Sequence, residues 1–197
     1  LIESTPVVWA GLKGHIMSGM FQAVSGLKKG YDKSEVDDFF EHAREAYEGT
    51  ATEPLVHRDI HTCVFDVVRG GYNTDQVDAA MNRLENAFVS KARESITAQY
   101  GPDGWSQWLN ERAKTLYPRL TRPNGAKFSH PKKFGYNIDE VDALCANLVK
   151  FIDGKLRITA SELREVTFTP AKRKNAYDEA SVDAFMARAI EILLGVE

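Results

Sequence analysis

The sequence predicts a mainly α-helical fold: two tandem units of paired helical motifs, joined by an amphipathic helix. Three observations carry this. The first is a helix start that occurs four times, at Tyr31-Asp32, Tyr72-Asn73, Tyr136-Asn137 and Tyr177-Asp178. In each, Asp or Asn is placed to cap the helix. Glu35, Gln76, Glu140 or Ser181 follows at the third helical position, and Val36, Val77, Val141 or Val182 at the fourth. This is the arithmetic of a capping box with a hydrophobic staple, Tyr packing on Val. The second is the apolar stripe behind each Val: Phe39, Phe40 and Ala43; Ala80, Met81 and Leu84; Leu144, Cys145 and Leu148; Phe185, Met186 and Ala189. Residues at +3, +4 and +7 share one helix face. The third is the spacing, since the four Tyr stand 41, 64 and 41 residues apart. Equal outer gaps around a longer middle one describe a two-motif unit that has been duplicated.

The flanks support the duplication. A Phe precedes each Tyr, at Phe21, Phe65, Phe128 and Phe168. Aligning Phe65 with Phe168 sets His57 over Ala160 and His61 over Arg164, so the second and fourth motifs share a lead-in helical turn. In chain order, residues 1–19 read as an N-terminal tail whose apolar run Val7-Val8-Trp9-Ala10 either docks as an edge strand or stays loose. Residues 20–100 form the first unit, with helices near 33–48 and 74–99. Gly101-Pro102-Asp103-Gly104 ends it. Residues 101–127 are a connecting helix and linker, in which Trp105, Trp108, Leu109, Arg112, Ala113, Leu116 and Tyr117 lie on one face and Pro118 stops the helix. Residues 128–197 form the second unit, with helices near 138–153, 160–166 and 179–194.

Composition excludes several function classes. With 43% hydrophobic and 27% charged residues the chain is globular, and its net charge of −3 provides no basic field for nucleic acid. Two cysteines, Cys63 and Cys145, are too few for a disulfide framework, and the core position of Cys145 points to a reducing interior. No charge-free apolar run reaches the ~20 residues of a membrane-spanning helix. His57 and His61 have the i, i+4 spacing of a metal pair with Cys63 nearby, but no second ligand cluster accompanies them, so the expectation is no metal and no cofactor. Asp37, Asp78, Asp142 and Asp183 recur after each Val, where the helix macrodipole favours carboxylates without any catalytic role. No nucleophile triad, phosphate loop or dinucleotide fingerprint is present, and the chain reads as non-enzymatic.

Asp59-Ile60-His61 with Phe65, Arg69-Gly70-Gly71-Tyr72, Val77 and Asp78, together with Lys29-Gly30-Tyr31-Asp32 and Glu35-Val36-Asp37-Asp38-Phe39-Phe40, resemble the N-terminal domain of DivIVA, the bacterial pole-marking and cell-division scaffold. The resemblance implies a membrane- or pole-associated scaffold of growth and division, cytoplasmic or peripheral at the inner face of the plasma membrane. It also implies parallel pairing of motif helices. In the family this pairing joins two chains; here the 24-residue connections 49–72 and 154–177 are long enough for it to occur within one. An antiparallel bundle is the alternative. Two departures stand out: no long heptad run follows any motif, and Asn175-Ala176 replaces Gly before the last Tyr. The first implies a monomer or small homo-oligomer rather than a filament.

The resemblance further implies that loop tips between Phe and Tyr meet the membrane through an apolar residue beside basic ones. The matching positions are Leu27, Lys28 and Lys29; Val68 and Arg69; Lys133 and Phe134; and Lys172, Arg173 and Lys174. The four loops, 22–30, 66–71, 129–135 and 169–176, hold eight basic side chains and one acid, Asp66. Such tips suit an anionic lipid surface, each cation near it contributing ~1 kcal/mol. The alternative is a soluble interaction module that keeps the motif fold and binds another protein.

Overall fold

The computed structural model describes residues 20–197, so the Val7–Ala10 run lies outside the described residues. The fold is mainly helical, and its contacts divide it into two compact units between Lys91 and Ala92.

In the first unit, β1 (Lys29–Tyr31) leads into α1 (Lys33–Glu48); the short α2 (His57–His61) and β2 (Val67–Arg69) follow, and then α3 (Thr74–Leu120), which belongs to this unit as far as Lys91. β1 and β2 are antiparallel with Gly30 opposite Val68, and Tyr72 bridges both Tyr31 and Ala23. The backbone amides of Tyr31 and Tyr72 donate to each other's carbonyls at 3.0 and 2.8 Å, so the two motif helices leave from one shared point. They run parallel. Near their starts the Tyr72 hydroxyl reaches Asp37, and near the end of α1 the ring of Tyr47 meets that of Phe88. Between them Val36, Phe40 and Ala43 face Val77, Ala80 and Leu84, all essentially inaccessible, with Phe21 and Ile60 completing the core. Burying one large apolar side chain contributes roughly 1.5–3 kcal/mol, so these stripes dominate the unit's stability.

The second unit repeats the plan with β3 (Phe134–Asn137), α4 (Ile138–Ile152), α5 (Ala160–Arg164), β4 (Pro170–Lys172), β5 (Ala176–Tyr177) and α6 (Glu179–Val196). The sheet order is β4-β3-β5, and Tyr136 pairs with Tyr177 as Tyr31 does with Tyr72. Val141, Cys145 and Leu148 pack with Val182, Phe185, Ala189 and Ile190. An addition distinguishes this unit: the part of α3 beyond Gly101 brings Leu116 and Leu120 into the same core, and Trp105 donates its indole N–H to the Gly195 carbonyl at 3.0 Å.

Gly101, at φ 76 and ψ 179, divides α3 into two helices, so the first ends and a second follows as the sequence predicts. Pro102 then stands at a first helical position, where its missing N–H costs nothing. One expectation needs correction: Pro118 does not stop the second helix, which runs to Leu120. Burial of Leu116 and Leu120 offsets the hydrogen bond that the proline removes.

All four predicted caps form. Asp32 accepts from the Ser34 and Glu35 amides at 2.9 and 3.2 Å, Asn137 from Asp139 and Glu140 at 2.9 and 3.3 Å, Asn73 from Gln76 at 3.0 Å and Asp178 from Ser181 at 3.0 Å. The return half of the box is different, because the third-position side chain reaches into the other motif of its unit. Glu35 accepts from the Asp66 amide at 2.7 Å, Gln76 from Gln22 at 2.9 Å and Glu140 from Thr169 at 2.7 Å, while Ser181 meets Ser129 hydroxyl to hydroxyl at 3.3 Å. In every case the partner is the residue after the other motif's Phe. The cap amide goes the same way: Asp32, Asn73, Asn137 and Asp178 donate to the carbonyls of Asp66, Gln22, Thr169 and Ser129. A closed box forms instead at α5, between Thr159 and Glu162.

Candidate functional site: the strand tips

The exchange between motifs builds the tips. Each Tyr ring lies against the Phe of the other motif, with centroid separations of 5.5 Å for Tyr31–Phe65, 5.5 Å for Phe21–Tyr72, 5.1 Å for Tyr136–Phe168 and 5.2 Å for Phe128–Tyr177. Each hydroxyl bonds the Asp that follows the other motif's Val. Tyr72 donates to Asp37 at 3.2 Å and Tyr177 to Asp142 at 3.0 Å, while Tyr31 pairs with Asp78 and Tyr136 with Asp183. The recurring Asp, which stands where the helix macrodipole favours a carboxylate, also holds the facing motif. The one available signal was its fourfold recurrence.

Electrostatics follow from this packing. Burial raises the Asp37 and Asp78 carboxyls above their ordinary range, against the opposing effect of the Tyr hydrogen bonds. Burial likewise raises Tyr31, and pushes Tyr136 and Tyr177 up to about 12, with Asp183 and Asp142 adding to the effect. Burial also lifts the Cys63 and Cys145 thiols to about 11, which keeps both protonated near neutrality.

Close approach at the Tyr pairs explains the glycines before them. A Cβ on Gly30, Gly71 or Gly135 would collide with the carbonyl of Tyr72, Tyr31 or Tyr177 respectively. Before Tyr177 stands Ala176, which is fully buried and opposite Asn137, and the chain reaches it through a 3-10 turn (Arg173–Asn175) with Arg173 at φ 49. The backbone of this tip therefore does differ from the others.

The singled-out tip residues gather at the far ends of these strands. In the first unit Leu27 is 81% exposed at a turn where Gly26 has φ 68, Lys28 and Lys29 are exposed, Arg69 sits opposite Lys29, and Val68 is half-buried opposite Gly30. In the second unit Phe134 is 58% exposed and pairs with Lys172, whose ammonium lies 5.2 Å from the ring centroid. The Arg173 amide donates to the Lys133 carbonyl at 3.0 Å, and the side chains of Lys133, Arg173 and Lys174 are exposed. The first tip thus presents Leu27, with Val67 also exposed on β2, beside Lys28, Lys29 and Arg69, and the second presents Phe134 beside Lys133, Lys172, Arg173 and Lys174.

Two buried polar features were not foreseen. Lys127 is buried with its ammonium on the carbonyls of Leu120 and Arg122 at 3.1 and 2.7 Å, while its amide donates to the Tyr177 hydroxyl. Glu85 is buried against His61 and His57. Among the described residues no group of three or more His, Cys, Asp and Glu is arranged to hold a metal ion, and no helix is long and apolar enough to cross a membrane. No family model, curated protein or solved structure matches the chain.

Proposed function

We propose that the chain is a non-enzymatic, DivIVA-like protein: a membrane- or pole-associated scaffold of bacterial growth and division, in which each unit is a DivIVA-like motif pair folded within one chain. It works in the cytoplasm or peripherally at the inner face of the plasma membrane, as a monomer or small homo-oligomer, with other proteins and anionic lipid as partners. The observation that carries this reading is the exposure of Phe134 beside Lys133, Lys172, Arg173 and Lys174, with Leu27 beside Lys28 and Lys29 as its counterpart. An aromatic wedge among cations gains both apolar burial and Coulombic attraction at an anionic surface.

Sedimentation with liposomes tests it. Anionic vesicles pull the protein down at low salt and release much of it at high salt, because attraction between exposed charges decays over ~8 Å at physiological ionic strength. Lys172→Glu with Lys174→Glu lowers the bound fraction chiefly at low salt, whereas Phe134→Ala lowers it at every salt concentration. Failure to sediment at low salt rejects the membrane role. The second reading, a soluble protein-interaction module, is supported by the brevity of α1 and α4, which end after 16 and 15 residues, too short for a long coiled coil.

A further inference from the structure

We infer that the two tips are unequal: the second makes the dominant contact with anionic lipid, through an arginine, Arg173, that its turn holds against backbone preference. This rests on the membrane reading above and adds which tip carries it.

The same turn occurs in both units. Arg69 stands opposite Lys29, and Lys172 opposite Phe134. The next residue, Gly70 or Arg173, donates its amide to the carbonyl of Lys28 or Lys133, at 3.1 and 3.0 Å. Both have positive φ, 69 at Gly70 and 49 at Arg173. Glycine adopts this backbone freely, whereas a residue with a Cβ is strained in it. Among the described residues Arg173 is the one non-glycine residue at positive φ. The first unit closes the turn with glycine, so the turn itself does not require an arginine. Strain of this kind marks functional positions.

The second tip also concentrates charge. Phe168 and Tyr177 are nine residues apart where Phe65 and Tyr72 are seven, and the added length supplies Lys174 and Asn175. Lys132, Lys133, Lys172, Arg173 and Lys174 are all exposed there, and the loops 129–135 and 169–176 contain no acid. The first tip has Lys28, Lys29 and Arg69 together with the acid Asp66. Five cations without an acid select an anionic occupant. A planar guanidinium meets phosphate oxygens with two parallel donors, which an ammonium does not. Phe134 stands in the same cluster, 58% exposed, with the Lys172 ammonium 5.2 Å from its ring centroid. An occupant that offers phosphates to the cations and an apolar interior to the ring is a lipid surface.

Sedimentation of the full chain with phosphatidylglycerol vesicles at low salt, read as an apparent affinity, tests the inequality. One cation at an anionic surface is worth about fivefold in affinity. Arg173→Gly therefore weakens binding about fivefold, while its melting temperature equals or exceeds the parent's because glycine suits the turn. Lys172→Glu with Lys174→Glu weakens binding on the order of a hundredfold, and Lys28→Glu with Lys29→Glu about fivefold or less, although both pairs make the same change of charge. A parent that does not sediment rejects the membrane reading and this inference with it. Three results with a parent that sediments leave the membrane reading standing and overturn the inference: undiminished binding by Arg173→Gly, a lower melting temperature for that variant, or equal losses from the two charge-swapped pairs. Heparin bound as tightly as the vesicles, with Phe134→Ala without effect on either, overturns lipid as the occupant.

Discussion

The two units share one plan and differ in how it is completed. In the second, Asp142 is buried and doubly satisfied, by the Tyr177 hydroxyl at 3.0 Å and the Gly125 amide at 2.7 Å. In the first, Asp37 takes the Tyr72 hydroxyl at 3.2 Å on one oxygen, while the other is buried with no hydrogen-bond partner among the described residues. The second unit also has the helical stretch beyond Gly101 on its core, with Arg112 paired to Glu191 at 3.0 Å, and the buried apolar Ala160 and Ile190 where the first has His57 and Glu85. The shared exchange of Tyr, Phe and cap residues is enough to define the fold. What is added around it sets how firmly each copy is held, and the additions favour the second unit.

The largest effect that sharpens this contrast is truncation of the paired tyrosines. Tyr177→Ala removes a fully buried ring and leaves Asp142 without one of its partners. The expected cost is ~3–5 kcal/mol, against ~2–3 kcal/mol for Tyr31→Ala, whose ring is half-buried. Chemical denaturation of each variant measures both, and a cost for Tyr31→Ala equal to or above that for Tyr177→Ala breaks the contrast.

Alkaline pH is the next lever. Tyr136 and Tyr177 are pushed up to about 12 in the folded second unit, against an ordinary value of 10.0. Their phenols therefore ionise more readily in the unfolded chain, and the stability present below pH 10 is lost as the pH rises toward 12. Absorbance at 295 nm should show two late-ionising tyrosines, whose titration coincides with loss of helical circular dichroism. Ionisation of all tyrosines near pH 10 with the fold intact would remove the burial argument.

The smallest effect should be equal in the two units, because the caps are built alike. Asp32→Ala and Asn137→Ala should each cost ~1 kcal/mol, the loss of a side-chain cap. A several-fold difference between them in thermal melts would show that the units differ at the cap as well as around it.

The parts of this fold legible in the sequence were the local ones. Caps at Asp32, Asn73, Asn137 and Asp178 follow from residue type and spacing, and the stripes behind them predict Val36, Val77, Val141 and Val182 in the core, where all four are buried. The clustering of Leu27, Lys28, Lys29 and Phe134 at tips also followed, since the loops between Phe and Tyr had to turn. The destination of Glu35 was not legible. A carboxylate three residues after a cap has the right spacing to reach back to it, and only the pairing of motifs presents the Asp66 amide as a competitor. The partners of Asp37 and Asp142 were hidden for the same reason. Pro118 misled because its local penalty was visible while the burial of Leu120 beyond it was not.

The central claim is that each unit is held by bonds exchanged between its two motifs, and a double-mutant cycle on Tyr177 and Asp142 tests it most directly. The partners are Tyr177→Phe and Asp142→Asn, with Tyr177→Phe and Asp183→Asn, a pair within one motif, as the control cycle. Neighbours in one hydrogen-bonded pair couple by roughly 0.5–3 kcal/mol, and residues without a shared contact add within ~0.5 kcal/mol. The account predicts coupling of about 1 kcal/mol or more for Tyr177 with Asp142 and none resolved for Tyr177 with Asp183. Additive effects in the first cycle, or stronger coupling in the second, would contradict it.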